Sequence, residues 1–88
     1  MRPDKPTISA VIPTLDEEAN LADSIMNLRA AGFDEIIVSD GGSADATRDI
    51  AASFEGVCLV STTRGRGQQL AAGVAAATSR LVAMVHAD

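Results

Sequence analysis

Four short apolar runs rich in β-formers, separated by three stretches of helical periodicity, constrain this chain more than any other feature. The runs are "TISAVIP" (7–13), "EIIVS" (35–39), "VCLVS" (57–61) and "LVAMVH" (81–86), each near the usual length of a strand. Between the first two, Leu21, Ile25 and Leu28 recur at i, i+4 and i+7. Thr14 and Glu17 have capping-box spacing at the start of that helix, and Gly32 supplies a stop. Between the second and third runs, Thr47, Ile50, Ala51 and Phe54 mark a shorter helical face that Gly56 follows. The third stretch, "QQLAAGVAAATS", sets Leu70, Ala71, Val74 and Ala77 at helical spacing. Gly73 inside it weakens the helix by roughly 1 kcal/mol relative to Ala, so close packing on a sheet has to compensate. Strand, helix, strand repeated three times predicts parallel strands joined by right-handed crossovers, a layered α/β architecture. Near-continuous apolar runs such as "EIIV" and "LVAMV" suit strands covered on both faces.

Length and charge narrow the function. The 88 residues make one small domain, which buries only about 60 to 65% of the surface its unfolded chain exposes. A net charge of −5 and only two aromatic residues, Phe33 and Phe54, argue against a general nucleic-acid binder, which needs Lys and Arg for phosphates and rings for stacking. A single nucleotide remains compatible. Cys58, the one cysteine, has no internal disulfide partner, and its setting in "VCLV" is that of a small buried hydrophobe. The apolar stretch before Pro13 is too short for a signal peptide or a membrane span. A reduced, cytoplasmic protein is expected. Because Asp88 stands two positions after the fourth run, that apolar strand has nothing left to cover or pair with it. The expectation is the N-terminal part of a longer protein, or a chain that needs a partner, a further copy of itself included.

Ligands of an open parallel sheet bind beyond the carboxyl ends of its strands. Those ends read "PTLDEE" (13–18), "SDGGSADAT" (39–47), "STTRGRGQQ" (61–69) and "HAD" (86–88), whereas the opposite ends carry ordinary turns such as "AGFDE" and "FEGV". The first loop excludes a dinucleotide fold: Asp16, Glu17 and Glu18 stand where glycine-rich N–H groups would cradle a pyrophosphate. The same acids also suit the N-terminal charge of a helix. In the second loop, Asp40 is placed to accept from a base N–H or a sugar hydroxyl, Gly41 and Gly42 admit positive φ and close approach, and Ser43 or Asp45 can cap the next helix. An ordinary Asx turn reads the same way. The third loop carries Arg64 and Arg66, a local cationic pair suited to a diphosphate or a base carbonyl. At the fourth end, His86 and Asp88 alternate on one face of an extended segment and suit one divalent cation or a ribose.

In this order, "SAVIPTLDEEANL", "IIVSDGGSADAT", "RGRGQQLAAG" and "LVAMVHAD" resemble the N-terminal, donor-binding half of family-2 glycosyltransferases with the GT-A fold. Among these, the bacterial radical-SAM/selenodomain-associated subgroup shares the Arg-Gly-Arg segment and His-Ala-Asp. The resemblance implies a three-layer Rossmann-like sheet of order 3-2-1-4, with the first two helices on one face and the third on the other. It implies that Pro13, Thr14 and Glu17 lie beside the nucleoside and that Asp40 recognises the base, commonly the uracil of a UDP-sugar. Arg66 then reaches the base or diphosphate, while Asp88, with His86, holds Mn²⁺ or Mg²⁺ against it. Inverting sugar transfer is the implied activity, with the general base and the acceptor site in sequence beyond Asp88. Leu15, Asp16, Ala71 and His86 depart from the family's frequent Tyr, Asn, Asn and first acid of Asp-x-Asp. A nucleotidyltransferase would place a basic glycine-rich loop after the first strand, and this chain does not. A non-catalytic nucleotide-binding or assembly module is the alternative from another class.

Overall fold

The structure, a computed structural model, describes residues 7–87. Each apolar run forms a strand and each periodic stretch a helix: β1 (Ile8–Thr14), α1 (Leu21–Ala30), β2 (Glu35–Asp40), α2 (Thr47–Ser53), β3 (Val57–Ser61), α3 (Arg66–Ala76) and β4 (Leu81–Met84). The strands pair in parallel, as the repeated strand-helix-strand pattern predicts, in the order β3-β2-β1-β4 that the family resemblance implies. β1 and β2 pair from Ser9↔Glu35 through Thr14↔Asp40, so the last residues of both strands lie side by side. No helix among the described residues is long and apolar enough to cross a membrane.

Strand alternation divides the core between two faces. Ala10, Ile12, Ile36 and Val38 pack with Leu21, Ile25 and Leu28 of α1 and Ala51 of α2. The other face carries Val11 and Ser39, which meet α3. Two helices on one side and one on the other give three layers. Fully burying a side chain such as Ile12 or Leu21 contributes about 1.5–3 kcal/mol.

Helix ends follow the sequence in one case and depart from it in another. α1 closes at Gly32, whose φ of +92° lets its N–H reach the Arg29 carbonyl at 3.1 Å while Phe33 N–H reaches the Leu28 carbonyl at 3.2 Å. Those two bonds satisfy carbonyls that the helix leaves open. The capping box of Thr14 and Glu17 does not form: α1 starts at Leu21 behind Asn20, which makes no side-chain cap bond. Pairing with β2 carries β1 through Thr14, and its hydroxyl is taken by Asp40.

α3 is rotated from the face its apolar residues predict. Gln69 and Gly73 are its buried residues, whereas Ala71 and Val74 are exposed and Leu70 and Ala77 half-buried. A Cβ at Gly73 would lie 2.3 Å from Val11 Cγ1. The helix backbone therefore rests directly on β1, and this closest approach, not the apolar stripe, fixes the rotation. β4 ends at Met84, two residues short of the predicted run. Val85 N–H still donates to the Val11 carbonyl at 3.0 Å, and Ala87 returns to the core with its carbonyl accepting from Ser24 Oγ at 2.6 Å. Leu81, Val82 and Met84 are exposed along this edge strand, so among the described residues β4 is not covered on both faces as its apolar run suggests.

At the opposite end of the sheet, Glu35 latches three segments: Oε1 accepts from Ser9 Oγ at 2.7 Å and from Thr78 N–H at 2.8 Å, and Oε2 accepts from Thr78 Oγ1 at 3.2 Å. The Thr78 N–H, then the Ser9 hydroxyl, hold its carboxyl below the usual range against the opposing effect of burial. A carboxyl with a lowered folded-state pKa stabilises above its unfolded pKa, and that stabilisation is lost as pH falls through the folded value.

Two outcomes are expected in denaturant melts. Gly73→Ala should gain roughly 1 kcal/mol of helix propensity but lose about 1–3 kcal/mol to the clash with Val11, leaving the protein less stable. Melts between pH 7 and 3 should show Glu35→Gln less stable than the parent at neutral pH, with the gap narrowing as pH falls through about 4 and below.

Candidate functional site

The ends of β1, α3 and the segment after β4 enclose a cleft of about 200 Å³, lined by Pro13, Thr14, Leu15, Glu17, Arg66, Gln69 and His86. Pro13, Thr14, Glu17, Arg66 and His86, all singled out in the sequence, thus share one rim although their elements are far apart in the chain. Asp40 lies one hydrogen bond behind the rim, through Thr14. Asp88 lies outside the described residues.

Asp40 ends β2 with its side chain fully buried. Oδ1 accepts from Thr14 Oγ1 at 2.8 Å and Ser43 Oγ at 2.5 Å; Oδ2 accepts from Gly42 N–H at 3.0 Å and Ser43 N–H at 2.8 Å. Burial pushes this carboxyl up more than any single bond pulls it down. The Ser43 hydroxyl and N–H, the Thr14 hydroxyl and the Gly42 N–H together outweigh burial and hold it below the usual range. Arg48, half exposed at 3.9 Å, adds little by comparison. The two glycines that follow have different jobs. Gly42 takes a φ of +101°, while Gly41 supplies space, since a Cβ there would lie 2.8 Å from Gln69 Cδ.

Loops one and two are strapped together reciprocally. The N–H groups of Asp16, Glu17 and Glu18 donate to Ser43 Oγ at 2.9 Å, Thr47 Oγ1 at 2.8 Å and Asp45 Oδ2 at 3.2 Å. In return Asp16 Oδ1 accepts from the N–H groups of Ala44 at 2.7 Å and Asp45 at 3.3 Å, and Glu18 Oε1 from that of Ala46 at 2.8 Å. Asp16 reaches this geometry at a φ of +54°, a left-handed conformation that Asp tolerates better than most residues. The helix-charge reading of Asp16 and Glu18 is therefore right in kind, but the helix they serve is α2, not the α1 that follows them. Glu17 is left facing the cleft. The N-cap position of α2 falls on Ala46, which makes no side-chain cap bond; Asp45, one residue earlier, accepts at Oδ1 from Thr47 N–H at 2.9 Å and from the Thr47 hydroxyl. Desolvation, the largest single effect on Asp45, and the charge of Asp40 push its carboxyl up, but the Thr47 hydroxyl and N–H and the Glu18 N–H together hold it low. Ser43 caps nothing in α2 and instead joins Asp40 to Asp16.

Across the cleft the charge reverses. Arg66 is the first residue of α3, so its guanidinium and the positive end of the helix dipole sit on the same side. Arg64 is exposed and does not line the cleft. His86 is exposed on the rim between half-buried Val85 and buried Ala87. Gln69 was not legible as a lining residue, because its polar side chain precedes what reads as the apolar face of α3. The one hint is its i, i+4 spacing to Gly73. Glu17 on one wall and Arg66 on the other suit a ligand with hydroxyl or N–H donors at one end and anionic oxygens at the other.

Comparison with known proteins gives this cleft its context. The model of glycosyl transferase family 2 matches residues 9–88. Glycosyltransferase AglJ of Haloferax volcanii is 35% identical over 66 residues, covering 75% of this chain and 22% of that protein. Glucosyl-3-phosphoglycerate synthase of Mycobacterium tuberculosis is 36% identical over 94 residues, covering 93% of this chain and 29% of the relative. The crystal structure of that synthase with Mn²⁺, uridine diphosphate and glucosyl-3-phosphoglycerate superposes with a TM-score of 0.82 at 32% identity, over 94% of this chain and 34% of the other. A further structure of the synthase contains Mg²⁺ and uridine diphosphate. The chain spans about a third or less of the length of these relatives. A family match that begins at the second residue of β1 and runs through the strand-end motifs, together with the shared sheet, makes this chain a member of glycosyl transferase family 2.

Proposed function

We propose that this chain is the donor-binding part of a glycosyltransferase, holding a UDP-sugar in the cleft between β1 and α3. The observation that carries the reading is the convergence of Pro13, Thr14, Glu17, Arg66 and His86 on one rim at the C-terminal ends of the strands, where ligands of open parallel sheets bind. Glu17 accepts from ribose hydroxyls, Pro13 and Thr14 flank the nucleoside, and Arg66 with the N-terminus of α3 meets the diphosphate. Asp40 takes a uracil N–H by exchange: the Thr14 or Ser43 hydroxyl rotates away and frees a lone pair on Oδ1. The relatives' complexes with uridine diphosphate and Mn²⁺ or Mg²⁺ support this choice of ligand.

His86 and Asp88 are the proposed cation ligands. Among the described residues no group of three or more His, Cys, Asp or Glu side chains stands together as a metal site. A two-residue donor set suits a cation that takes its remaining ligands from phosphate oxygens and water. When bound, the cation neutralises charge on the departing diphosphate. In the whole transferase an acceptor oxygen bonds to the anomeric carbon as the bond from that carbon to the diphosphate breaks, inverting the centre. The general base and acceptor site belong to sequence beyond Asp88. "RGRG" and "HAD" support placement in the radical-SAM-associated subgroup, and the free thiol of Cys58 fits a cytoplasmic setting.

A panel of UDP, GDP, CDP and ADP, each with Mn²⁺ or with chelator, tests the reading by melting shift. UDP with Mn²⁺ at about a hundred times its dissociation constant should add roughly 2.7 kcal/mol. Asp40→Ala should abolish that gain and Arg66→Ala should reduce it, whereas Arg80→Ala, at the far end of the sheet, should keep it. No shift with any nucleotide would refute the proposal.

A further inference from the structure

Gln69 joins three segments of the cleft through one amide. The residue is 7% exposed. Nε2 donates to the Thr14 carbonyl at 2.8 Å and the Ser39 carbonyl at 3.1 Å, at the ends of β1 and β2. Oε1 accepts from Gly65 N–H at 3.2 Å, at the end of the loop that leads into Arg66, the first residue of α3. The main chain reinforces both attachments: Gln69 N–H donates to the Gly65 carbonyl at 2.8 Å, and the Gln69 carbonyl accepts from Ser39 Oγ at 2.6 Å. Space for the amide exists only because residue 41 has no side chain.

We propose that Gln69 is a positioning residue: through Gly65 it fixes the turn that leads into Arg66 against Thr14, so that the guanidinium at the start of α3 is already aimed when a diphosphate arrives. An amide is the group this place demands. It donates twice and accepts once, whereas a carboxylate would face two carbonyl oxygens without a proton, and an apolar isostere would leave the Gly65 N–H and the Ser39 carbonyl without the amide. Holding a cationic loop in its bound geometry lowers the ordering cost of binding. The consequence for affinity rests on the UDP reading above, but the restraint on the loop does not.

The test compares Gln69→Met with the parent by amide hydrogen exchange and by UDP affinity in the presence of Mn²⁺. Exchange at residues 63–67 should rise roughly tenfold, while Val11 and Ile37 in the strand centres stay unchanged. The UDP dissociation constant should rise about tenfold in the parent background and less than about twofold on top of Arg66→Ala. Should Gln69→Met not fold, Gly41→Ala, which displaces the amide without removing it, should give the same loop-confined exchange. An unchanged loop, a uniform rise through the strands, or an equal affinity loss in both backgrounds would overturn the proposal. Absence of UDP binding by the parent would sink the nucleotide reading instead, and the exchange comparison would then decide the role of Gln69 by itself.

Discussion

The carboxylate of Asp40 sits at the end of β2 out of contact with water, and an ionised group can remain there only while donors surround it. Those donors come from three places: the side chain of Thr14 in β1, the backbone after the Gly41–Gly42 turn, and both the backbone and hydroxyl of Ser43. Satisfying one buried charge therefore aligns the ends of two strands and shapes the loop between β2 and α2. Ser43 extends the arrangement, since it also accepts from the N–H of Asp16. The first loop is drawn in by the same center.

This arrangement explains how an acidic loop can coexist with a cleft proposed to hold phosphate. Asp16 and Glu18 direct their charge at the N–H groups of Ala44, Asp45 and Ala46, just before α2, where the nearby helix N-terminus favours an anion. Their charge is thereby turned from the cleft, leaving Glu17 as the acid of that loop on its rim. Positive potential enters from the other wall with Arg66. Gln69 ties the two walls together, and Gly73 allows α3 to lie close enough to β1 for that tie to reach.

The element order and the core face of α1 were legible because they follow from period and alternation, which side-chain identity writes directly into the sequence; the strand order came with the family resemblance of the strand-end motifs. Leu21, Ile25 and Leu28 are buried as their spacing predicts. The α3 rotation was not legible: a glycine against a valine decided it, and apolar periodicity weighs a glycine as nothing. The false capping box failed for a related reason, because Thr14 found its partner 26 residues away in Asp40 and not in the local turn. Topology alone nominated the strand-end loops with Glu17, Asp40, Arg66 and His86, whereas Pro13 and Thr14 were nominated by the family resemblance. What remained hidden was which polar groups face a ligand and which face each other, since Asp16, Glu17 and Glu18 look equivalent in sequence and differ only through the loop opposite.

Paramagnetic broadening of backbone amide signals by Mn²⁺ in the presence of UDP tests the central claim, that the strand-end loops form one prearranged donor cleft. Broadening centred on Thr14, Glu17, Arg66, Gln69, His86 and Asp88, lost when UDP is left out, is the predicted pattern. Broadening centred on the opposite end of the sheet, around Gly32, Gly56 and Thr78, or spread evenly over the acidic surface with or without UDP, would contradict it.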